Sequence, residues 1–368
     1  MNIKNIIVCL LVALVSFACS KDDGEGPAGK GDARLSVKLQ VRGNSLSKAG
    51  GDPNALPGET DINSLVTFVF NENGTQLVQL VSQKDGLEVD LEVPSGERLK
   101  ILTVANAPES LMSAPANLDE LQKRLVTLTS QSQNNLTFST PVISTTELLE
   151  DGSVNYIGYA GETNIDGLDE PVLLTRIAAR VEINSIRTAF TGTSLEGYTV
   201  RIDHLTLANV NTQSHLYSVA DWGAVEADGN KVYGAGATDI VNEFAAGSQP
   251  VDYLGKDFNQ IVSDANPVTS PMLEMYTFEN SSSATPTLLV IKATLVEENI
   301  TKYFAVPINE DGIKNNKADH NYVKRNYIYR LHVTFSETSF TLPTPPETGL
   351  EIRVEVESWG RVHQIEEV

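Results

Sequence analysis

The sequence predicts a mainly β protein with two antiparallel β-sandwich domains and one or two short helices. Segments in which apolar and polar residues alternate recur along the chain, and turns rich in Gly, Pro and Asn separate them. With 368 residues, the chain is long enough for two domains that each have a core. Its 41% hydrophobic and 20% charged residues are typical of a folded protein.

The N-terminus predicts an exported lipoprotein. Residues 1–18 contain a short apolar run and end in Ala18, directly before Cys19, an arrangement that resembles a bacterial lipobox. We expect residues 1–18 to be a signal peptide, Cys19 to carry a lipid such as palmitate in the outer membrane, and residues 19–33 to form an acidic tether. An ordinary cleaved signal is the alternative. Because Cys9 leaves with the signal, no disulfide is expected, and packing must stabilise the fold.

The first predicted strand has one apolar face. Four aliphatic side chains alternate with polar ones over residues 34–41: Leu35, Val37, Leu39 and Val41. Burying each of them is worth roughly 2 kcal/mol, so the strand matters on the scale of a domain's stability of about 5–15 kcal/mol. A segment rich in Gly, Pro and Ser follows from residue 43. We expect Arg42, at the end of the strand, and Lys48, within this segment, to be open to a trypsin-like or an Arg- or Lys-specific protease.

The next segments complete a first domain, predicted at residues 34–172. Short turns join strands that are expected at residues 65–70, 77–81, 87–93 and 98–106. One helix is expected behind a capping Asn117, because apolar residues recur at helical spacing over residues 117–128. A further strand is expected at residues 154–160.

The second domain is predicted at residues 173–368. One strand pattern crosses the expected boundary region at 170–175 and covers residues 172–186. Further strands are expected at residues 198–209, 275–279, 287–295, 303–308, 327–335 and 350–356. Residues 217–271 are long and rich in loop formers, so no element is assigned there.

The last predicted strand repeats the pattern of the first. Its apolar face consists of Leu350, Ile352, Val354 and Val356. Three prolines precede it within residues 343–346, and they favour an extended linker because proline cannot donate a ladder hydrogen bond. The chain therefore carries a similar strand near each end.

Composition and motifs predict no enzyme. The 48 acidic and 27 basic residues give a net charge of −21, which argues against a nucleic-acid partner because no basic stripe could neutralise phosphates. The five histidines lack metal-binding spacing, and no nucleophile motif is present. Acidic turns could attract calcium, but turn chemistry explains them, and nothing selects a carboxylate pair for glycoside hydrolysis. We expect no catalytic residue, metal or cofactor.

Seven segments, taken in order, follow a pattern seen in one protein family. They are ARLSVKLQV, LVTFVF, RLKILTVANAP, NYIGYAGE, PVLLTRIAARVEI, VKRNYIYRLHVTF and LEIRVEVESW. Together they resemble the Bacteroidales fimbrillin family, the FimA-type major subunits of type V pili, over nearly the whole chain behind the signal.

The resemblance implies transthyretin-like sandwich domains and a mode of assembly. In that family a protease cuts after a basic residue behind the first strand, and removal of that strand leaves a groove. An extended segment of another subunit, generally assigned to the C-terminal end, then fills the groove. Carried onto this chain, the cut falls after Arg42 or Lys48, residues 34–41 are displaced, and residues 350–356 are the donor strand. The same cut separates the subunit from the lipid on Cys19.

The implied product is a structural subunit of cell-surface fimbriae that supports adhesion. The expected partners are other fimbrial subunits in a self-polymer, the processing protease, the outer membrane before processing, and a host glycan or protein receptor. A tip or anchor subunit, or a lipid-anchored surface adhesin of the same fold, is the first alternative. Such a protein would keep its first strand or lack a donor segment. A surface glycan-binding lipoprotein is the second alternative.

Overall fold

A computed structural model describes most of the chain from residue 32 onward. The described residues are 32–42, 55–84, 86–148, 152–165, 167, 169–216, 231–236, 245, 247–269, 273–315, 318–341 and 350–359. The predicted signal peptide, Cys19 and Lys48 lie outside them.

The first half of the chain forms a large sheet. Among the described residues, the strands before residue 177 are β1 (Asp32–Val41), β2 (Leu65–Asn71), β3 (Leu77–Gln83), β4 (Glu88–Pro94), β5 (Leu99–Ala105), β6 (Leu125–Thr127), β7 (Phe138–Ser139), β8 (Ile143–Ser144), β9 (Val154–Ile157) and β10 (Val172–Arg176). Nine of them form one sheet in the order β3-β2-β5-β7-β10-β1-β4, with β8 on β5 and β9 on β1. Most pairs are antiparallel, but β1 runs parallel to β9 and β10.

The second half is a sandwich of two four-stranded sheets. Its described strands are β11 (Ala179–Ala189), β12 (Val200–Ala208), β13 (Val210–Asn211), β14 (Gln213–His215), β15 (Lys231–Gly234), β16 (Gln249–Val251), β17 (Gly255–Val262), β18 (Leu273–Thr277), β19 (Leu288–Leu295), β20 (Ile300–Pro307), β21 (Tyr327–Ser336) and β22 (Leu350–Ser358). The sheets have the orders β18-β11-β21-β22 and β17-β12-β19-β20. They face each other, since the rings of Phe304 on β20 and Phe335 on β21 lie 5.3 Å apart.

Helices are few and short. The described α-helices are α1 (Leu118–Gln122), α2 (Gly312–Asn315) and α3 (Glu337–Thr341). Single 3-10 turns occur at Glu109–Leu111, Leu128–Ser130 and Asp252–Leu254. The predicted fold class, mainly β with two β-sandwich domains, is confirmed.

The predicted helix over residues 117–128 is only partly correct. Its cap is confirmed, because the Glu120 backbone N–H donates to Asn117 Oδ1 at 2.8 Å. However, α1 ends at Gln122, and Leu125 and Val126 lie in β6, which pairs with β14 of the second half. A strand partner distant in sequence overrides the local helical spacing here.

The predicted strand over residues 172–186 is in fact two strands. The chain bends at Ile177 and Ala178, so β10 joins the N-terminal sheet and β11 joins a C-terminal sheet. Both bend residues are fully buried, and for this reason the apolar pattern continues through the bend and hides it. The unassigned residues 217–271 contain β15, β16 and β17.

Candidate assembly site

The first strand lies inside the N-terminal sheet and not at its edge. β4 pairs with residues 32–38 on one side, while β9 and β10 pair with residues 34–37 and 39–41 on the other. The inward side chains are at most 2% exposed: Leu35, Val37, Leu39 and Val41. The burial that the alternation predicted is confirmed. Removal of β1 would leave an apolar slot with unpaired backbone on both sides.

The outward face of β1 lies beside an acidic row on β4. Three exposed residues form this acidic row: Glu88, Asp90 and Glu92. The register sets Arg34 opposite Glu92 and Lys38 opposite Glu88. Between them, the Ser36 hydroxyl donates to Asp90 Oδ1. The outward face of β1 therefore complements the charge of its neighbour.

An aromatic side chain completes the surroundings of Lys38. Its Nζ lies 5.4 Å from the ring centroid of Tyr159, within cation–π range. Burial, and next the negative charges of Glu88 and Asp90, raise the pKa of the Tyr159 hydroxyl, so it stays neutral. A cleft of about 610 Å³ covers the neighbouring part of this face and is lined by residues of β1, β3, β4 and β9.

The chain on either side of residues 43–54 is hydrogen-bonded to one arginine, Arg176. Arg42 is exposed, but its backbone N–H donates to the Leu174 carbonyl at 2.8 Å, and its own carbonyl accepts from Arg176 Nη1 at 3.1 Å. On the far side of residues 43–54, the Glu59 carbonyl accepts from Arg176 Nε at 3.1 Å. The fully buried Arg176 guanidinium therefore holds the chain before and after the expected cut.

Glu59 is a fully buried carboxylate with a complete set of donors. Its Oε2 forms an ion pair with Arg180 and accepts from the Leu56 N–H at 2.7 Å. Its Oε1 accepts from the Tyr276 hydroxyl at 2.6 Å. Burial, and next the charge of Glu59, raise the pKa of Tyr276 far above its ordinary value, so the phenol remains a donor.

The last strand, β22, is held less deeply than β1. It lies at the edge of its sheet and pairs with β21 alone, antiparallel, from Leu350 opposite Phe335 to Ser358 opposite Tyr327. Of its four predicted inward side chains, Val354 is buried at 8% exposure, and Leu350, Ile352 and Val356 are partly buried. One apolar face is present as predicted, but it is only half covered.

A tryptophan anchors the end of β22 next to the bend between β10 and β11. Trp359 is 0% exposed, and its ring lies 4.7 Å from the Arg176 guanidinium carbon and 5.1 Å from that of Arg180. It is parallel to the Tyr276 ring at 6.1 Å. Its backbone N–H donates to the Asn326 carbonyl at 3.0 Å. The end of the last strand thus packs on the arginines that hold the segment behind the first strand.

A chain of ion pairs runs from that segment to β22. Arg180 binds Glu59 and, through Nη2, Glu182 at 3.1 Å. Arg330 binds Glu182 and also Glu357 on β22. Glu59, Arg180 and Glu182 are at most 4% exposed in their side chains, whereas Glu357 is 33% exposed. The ion pairs are therefore most deeply buried at Glu59, Arg180 and Glu182 and become more exposed at Glu357 on the last strand.

The described residues contain little that suggests a metal site. No group of three or more His, Cys, Asp or Glu residues among them is placed to hold a metal ion. The buried His320 has a structural contact, with Nε2 2.7 Å from the Tyr329 hydroxyl. No helix in the same described ranges is long and apolar enough to cross a membrane.

Comparison with known proteins assigns the chain to a family. The profile "Major fimbrial subunit protein (FimA)" matches residues 33–176, and "Fimbrium tip subunit Fim1C-like, C-terminal domain" matches residues 177–359. The proposed fimbrium tip subunit Fim1C of Parabacteroides distasonis is 35% identical over 388 aligned positions, which cover 98% of each chain. The chain belongs to the Bacteroidales fimbrillin family.

Solved structures agree with the fold of this fimbrillin. A crystal structure of a proposed cell adhesion protein from Parabacteroides distasonis matches with a TM-score of 0.73 and 35% identity, over 91% of this chain and 99% of that one. A fimbrilin (FimA) structure from Porphyromonas gingivalis matches in fold, with a TM-score of 0.64 and 18% identity over 91% and 99% of the chains.

Sequence reasoning found both terminal strands of this fimbrillin but missed the buried contacts that Arg176 and Arg180 make with Glu59 and Trp359. The segment LTRIAARVE placed Arg176 and Arg180 in an otherwise apolar run. Because arginine is rarely buried without a partner, that spacing was a signal for buried ion pairs. Nothing local in the sequence marked Glu59 or Trp359 as their partners.

Proposed function

We propose that this fimbrillin is a structural subunit of cell-surface fimbriae, exported as a lipoprotein through Cys19 and joined to its neighbours by protease-triggered donor-strand exchange. The observation that carries the proposal is the position of β1. It is an interior strand with fully buried aliphatic side chains, yet it precedes a segment rich in Gly, Pro and Ser with a basic residue at Lys48. A cut there turns an interior strand into a separate peptide.

The contacts of Arg42 favour Lys48 as the cut site. A protease needs several residues of accessible, extended chain on both sides of the bond that it cuts. Arg42 is tied through its backbone to Leu174 and Arg176, so cleavage after it requires the end of β1 to unpair first. An Arg-specific enzyme would have to act at Arg42 after such local opening.

The last strand supplies a donor of the required form. β22 has the same alternation as β1, lies at a sheet edge and has only one buried inward side chain among its four, so it can leave its sheet at lower cost than β1.

We place the junction between the two domains at Ile177 and Ala178, where the chain passes from one sheet to the next.

A position at the fimbrial tip is the second candidate. The similarity to the proposed tip subunit Fim1C and the tip-subunit profile over residues 177–359 favour it. A tip subunit must accept a strand but need not donate one. The anchoring of Trp359 and the ion pair of Glu357 with Arg330, which hold the end of β22, suit such a role.

Limited trypsin treatment tests the cut and the slot together. Cleavage after Lys48 leaves β1 bound without a covalent link, so the free energy of unfolding should become dependent on protein concentration. Added peptide of residues 32–42 should raise the unfolding midpoint of the cut protein and not that of the uncut one.

The matched control is the Arg42→Gln, Lys48→Gln double variant. Trypsin can still cut that variant upstream at Lys21 and Lys30, which removes only the tether and leaves β1 in place. Its unfolding should remain independent of concentration. If the unfolding midpoint of the cut wild-type protein is the same at every dilution and does not change when the 32–42 peptide is added, β1 is not exchangeable.

A further inference from the structure

The slot that β1 occupies has a charged border as well as an apolar floor. On one side is the acidic row of β4, formed by Glu88, Asp90 and Glu92. On the other side, the β9 residues opposite Arg34 and Ser36 are uncharged, namely Val154 and Tyr156. Any strand that enters must set its outward side chains between these two rows.

The native first strand fits this border at all three positions opposite the acidic row. Arg34 faces Glu92, the Ser36 hydroxyl donates to Asp90, and Lys38 faces Glu88. Lys38 also lies over the Tyr159 ring, so a cation at this position is favoured by both a carboxylate and an aromatic face.

The last strand of this chain fits the same border less well than β1. Its outward side chains are Glu351, Arg353, Glu355 and Glu357. Only shifts of two residues keep its apolar face inward. When residue 350 takes the place of residue 35, Glu351 faces Asp90 and Arg353 faces Glu88. When residue 350 takes the place of residue 33, Glu351 and Glu355 face Glu92 and Glu88, and Arg353 faces Asp90 between them.

The other registers that keep the apolar face inward also place glutamates opposite the acidic row. With residue 350 in the place of residue 37, Glu351 faces Glu88. With residue 350 in the place of residue 31, Glu355 and Glu357 face Asp90 and Glu88, and Arg353 faces Glu92. Every such register therefore sets at least one glutamate and at most one arginine against the acidic row, whereas β1 sets no acidic side chain there. Like charges directly opposite each other destabilise a strand pair.

In its own sheet, the same face of β22 has basic neighbours. Glu357 forms an ion pair with Arg330 of β21. Glu355 Oε2 lies 3.5 Å from Nε2 of His332, also on β21. Moving β22 into the slot of a second copy would exchange basic neighbours for acidic ones.

We propose that the slot is charge-selective. It accepts a strand from a different subunit whose outward residues are lysine or arginine, and it disfavours the last strand of a second copy of this chain. This inference rests on the proposed strand exchange and specifies its partner. Replacing one or two repulsive cross-strand pairs by attractive ones should change the affinity by about tenfold.

A displacement assay on the full chain, cut within residues 43–54 and still holding its first strand, tests the selection. Three competitor peptides are compared: residues 350–358, the same peptide with E351K, E355K and E357K, and residues 32–42 as reference. The lysine variant should displace the first strand at about tenfold lower concentration than the unchanged 350–358 peptide in about 0.01 M salt. The difference should vanish in about 1 M salt, where the screening length is about 3 Å.

The protein variant E88Q/D90N/E92Q provides the matched control, because it keeps the shape of the exposed acidic row and removes its charge. The two C-terminal peptides should compete equally for it. Equal competition on the unaltered protein at low salt, or a preference that survives in the neutral variant, would overturn the charge selection alone. If even the 32–42 peptide fails to exchange, the slot accepts no strand, and the proposed function is overturned together with this inference.

Discussion

Glu59 and Arg180 form an ion pair in which the two side chains are 0% and 1% exposed. Glu59 lies just after residues 43–54, and Arg180 lies on β11, 121 positions later. Their pairing ties the chain directly after the expected cut to the sheet that carries the last strand. Buried charges are stable only with partners, so either side chain depends on the other.

Glu59→Ala should destabilise the uncut protein strongly. The change leaves the Arg180 charge buried without its carboxylate and removes the acceptor of the Tyr276 hydroxyl. The expected loss in the free energy of unfolding is about 3 kcal/mol or more, measured by urea denaturation. Asp61→Ala is the control, since Asp61 is exposed on the same segment, and it should change stability by less than about 0.5 kcal/mol. Similar losses in the free energy of unfolding for both variants would mean that the buried ion pair does not stabilise the fold more than an exposed carboxylate does.

Trp359→Ala should loosen the last strand. The side chain is fully buried against Tyr276 and two arginines, and truncating such a residue costs about 3–5 kcal/mol. Hydrogen exchange should speed up in Leu350–Ser358 before the N-terminal sheet is affected. Arg353→Ala, an exposed change on the same strand, should leave the exchange pattern as it is. Unchanged protection of β22 in the Trp359 variant would contradict the role of this anchor.

An aspartate placed in each terminal strand should separate their roles. Val37→Asp puts a carboxylate at a 0% exposed position in an interior strand, so the uncut protein should fail to fold. Val354→Asp does so in an edge strand at 8% exposure, so the protein should remain folded with β22 detached. Circular dichroism and limited proteolysis distinguish the two outcomes. Complete unfolding of the Val354 variant would mark β22 as an ordinary core strand that cannot serve as a donor.

Acid should weaken the hydrogen bonds between Asp264 and the end of β11, which are called the Asp264 clamp below. Burial alone would raise the pKa of Asp264, but hydrogen bonds from Thr188 and Thr191 and from two backbone N–H groups lower it to about 2. A carboxyl whose folded pKa lies below its unfolded value of about 3.9 stabilises the fold above that value. This contribution is lost as the pH falls from about 4 to 2.

The variant Asp264→Asn isolates that contribution. Its thermal midpoint should lie below the wild-type midpoint at pH 6, and the gap should narrow as the pH falls through the range from about 4 to 2. A gap that stays constant over this range would mean that the carboxylate charge is not what stabilises the Asp264 clamp.

The terminal strands were predictable because their information is local. In β1 and β22 alternate residues point to one apolar layer, and this period of two is visible in the sequence itself. The helix over residues 117–128 was predicted too long because a distant partner, β14, captures Leu125 and Val126 as a strand. The sequence alone could not show that β1 is interior, because that depends on β4, β9 and β10 folding around it.

The buried contacts around Arg176 and Arg180 were not predictable, because they also depend on residues that are distant in the sequence. The contacts of Glu59 with Arg180, and of Trp359 with Arg176, join positions more than a hundred residues apart. Periodicity reports which side of an element is buried, but it does not report which charged groups meet there. The acidic row on β4 was visible as alternation in LEVDLEV, whereas its position opposite the cations of β1 required the register.

The most direct test of strand exchange is a removable lock between β1 and β4. Ser36 and Asp90 are directly opposite and in contact, so cysteines at both positions can form a disulfide. The pair is placed in a chain whose Cys9 and Cys19 are replaced by serine, and the protein is cut behind β1. Exchange of the first strand for a labelled 32–42 peptide is then measured with and without reductant. We predict exchange only in the reduced protein, whereas equal exchange in the oxidised protein would show that strands enter elsewhere and that β1 is not the element replaced.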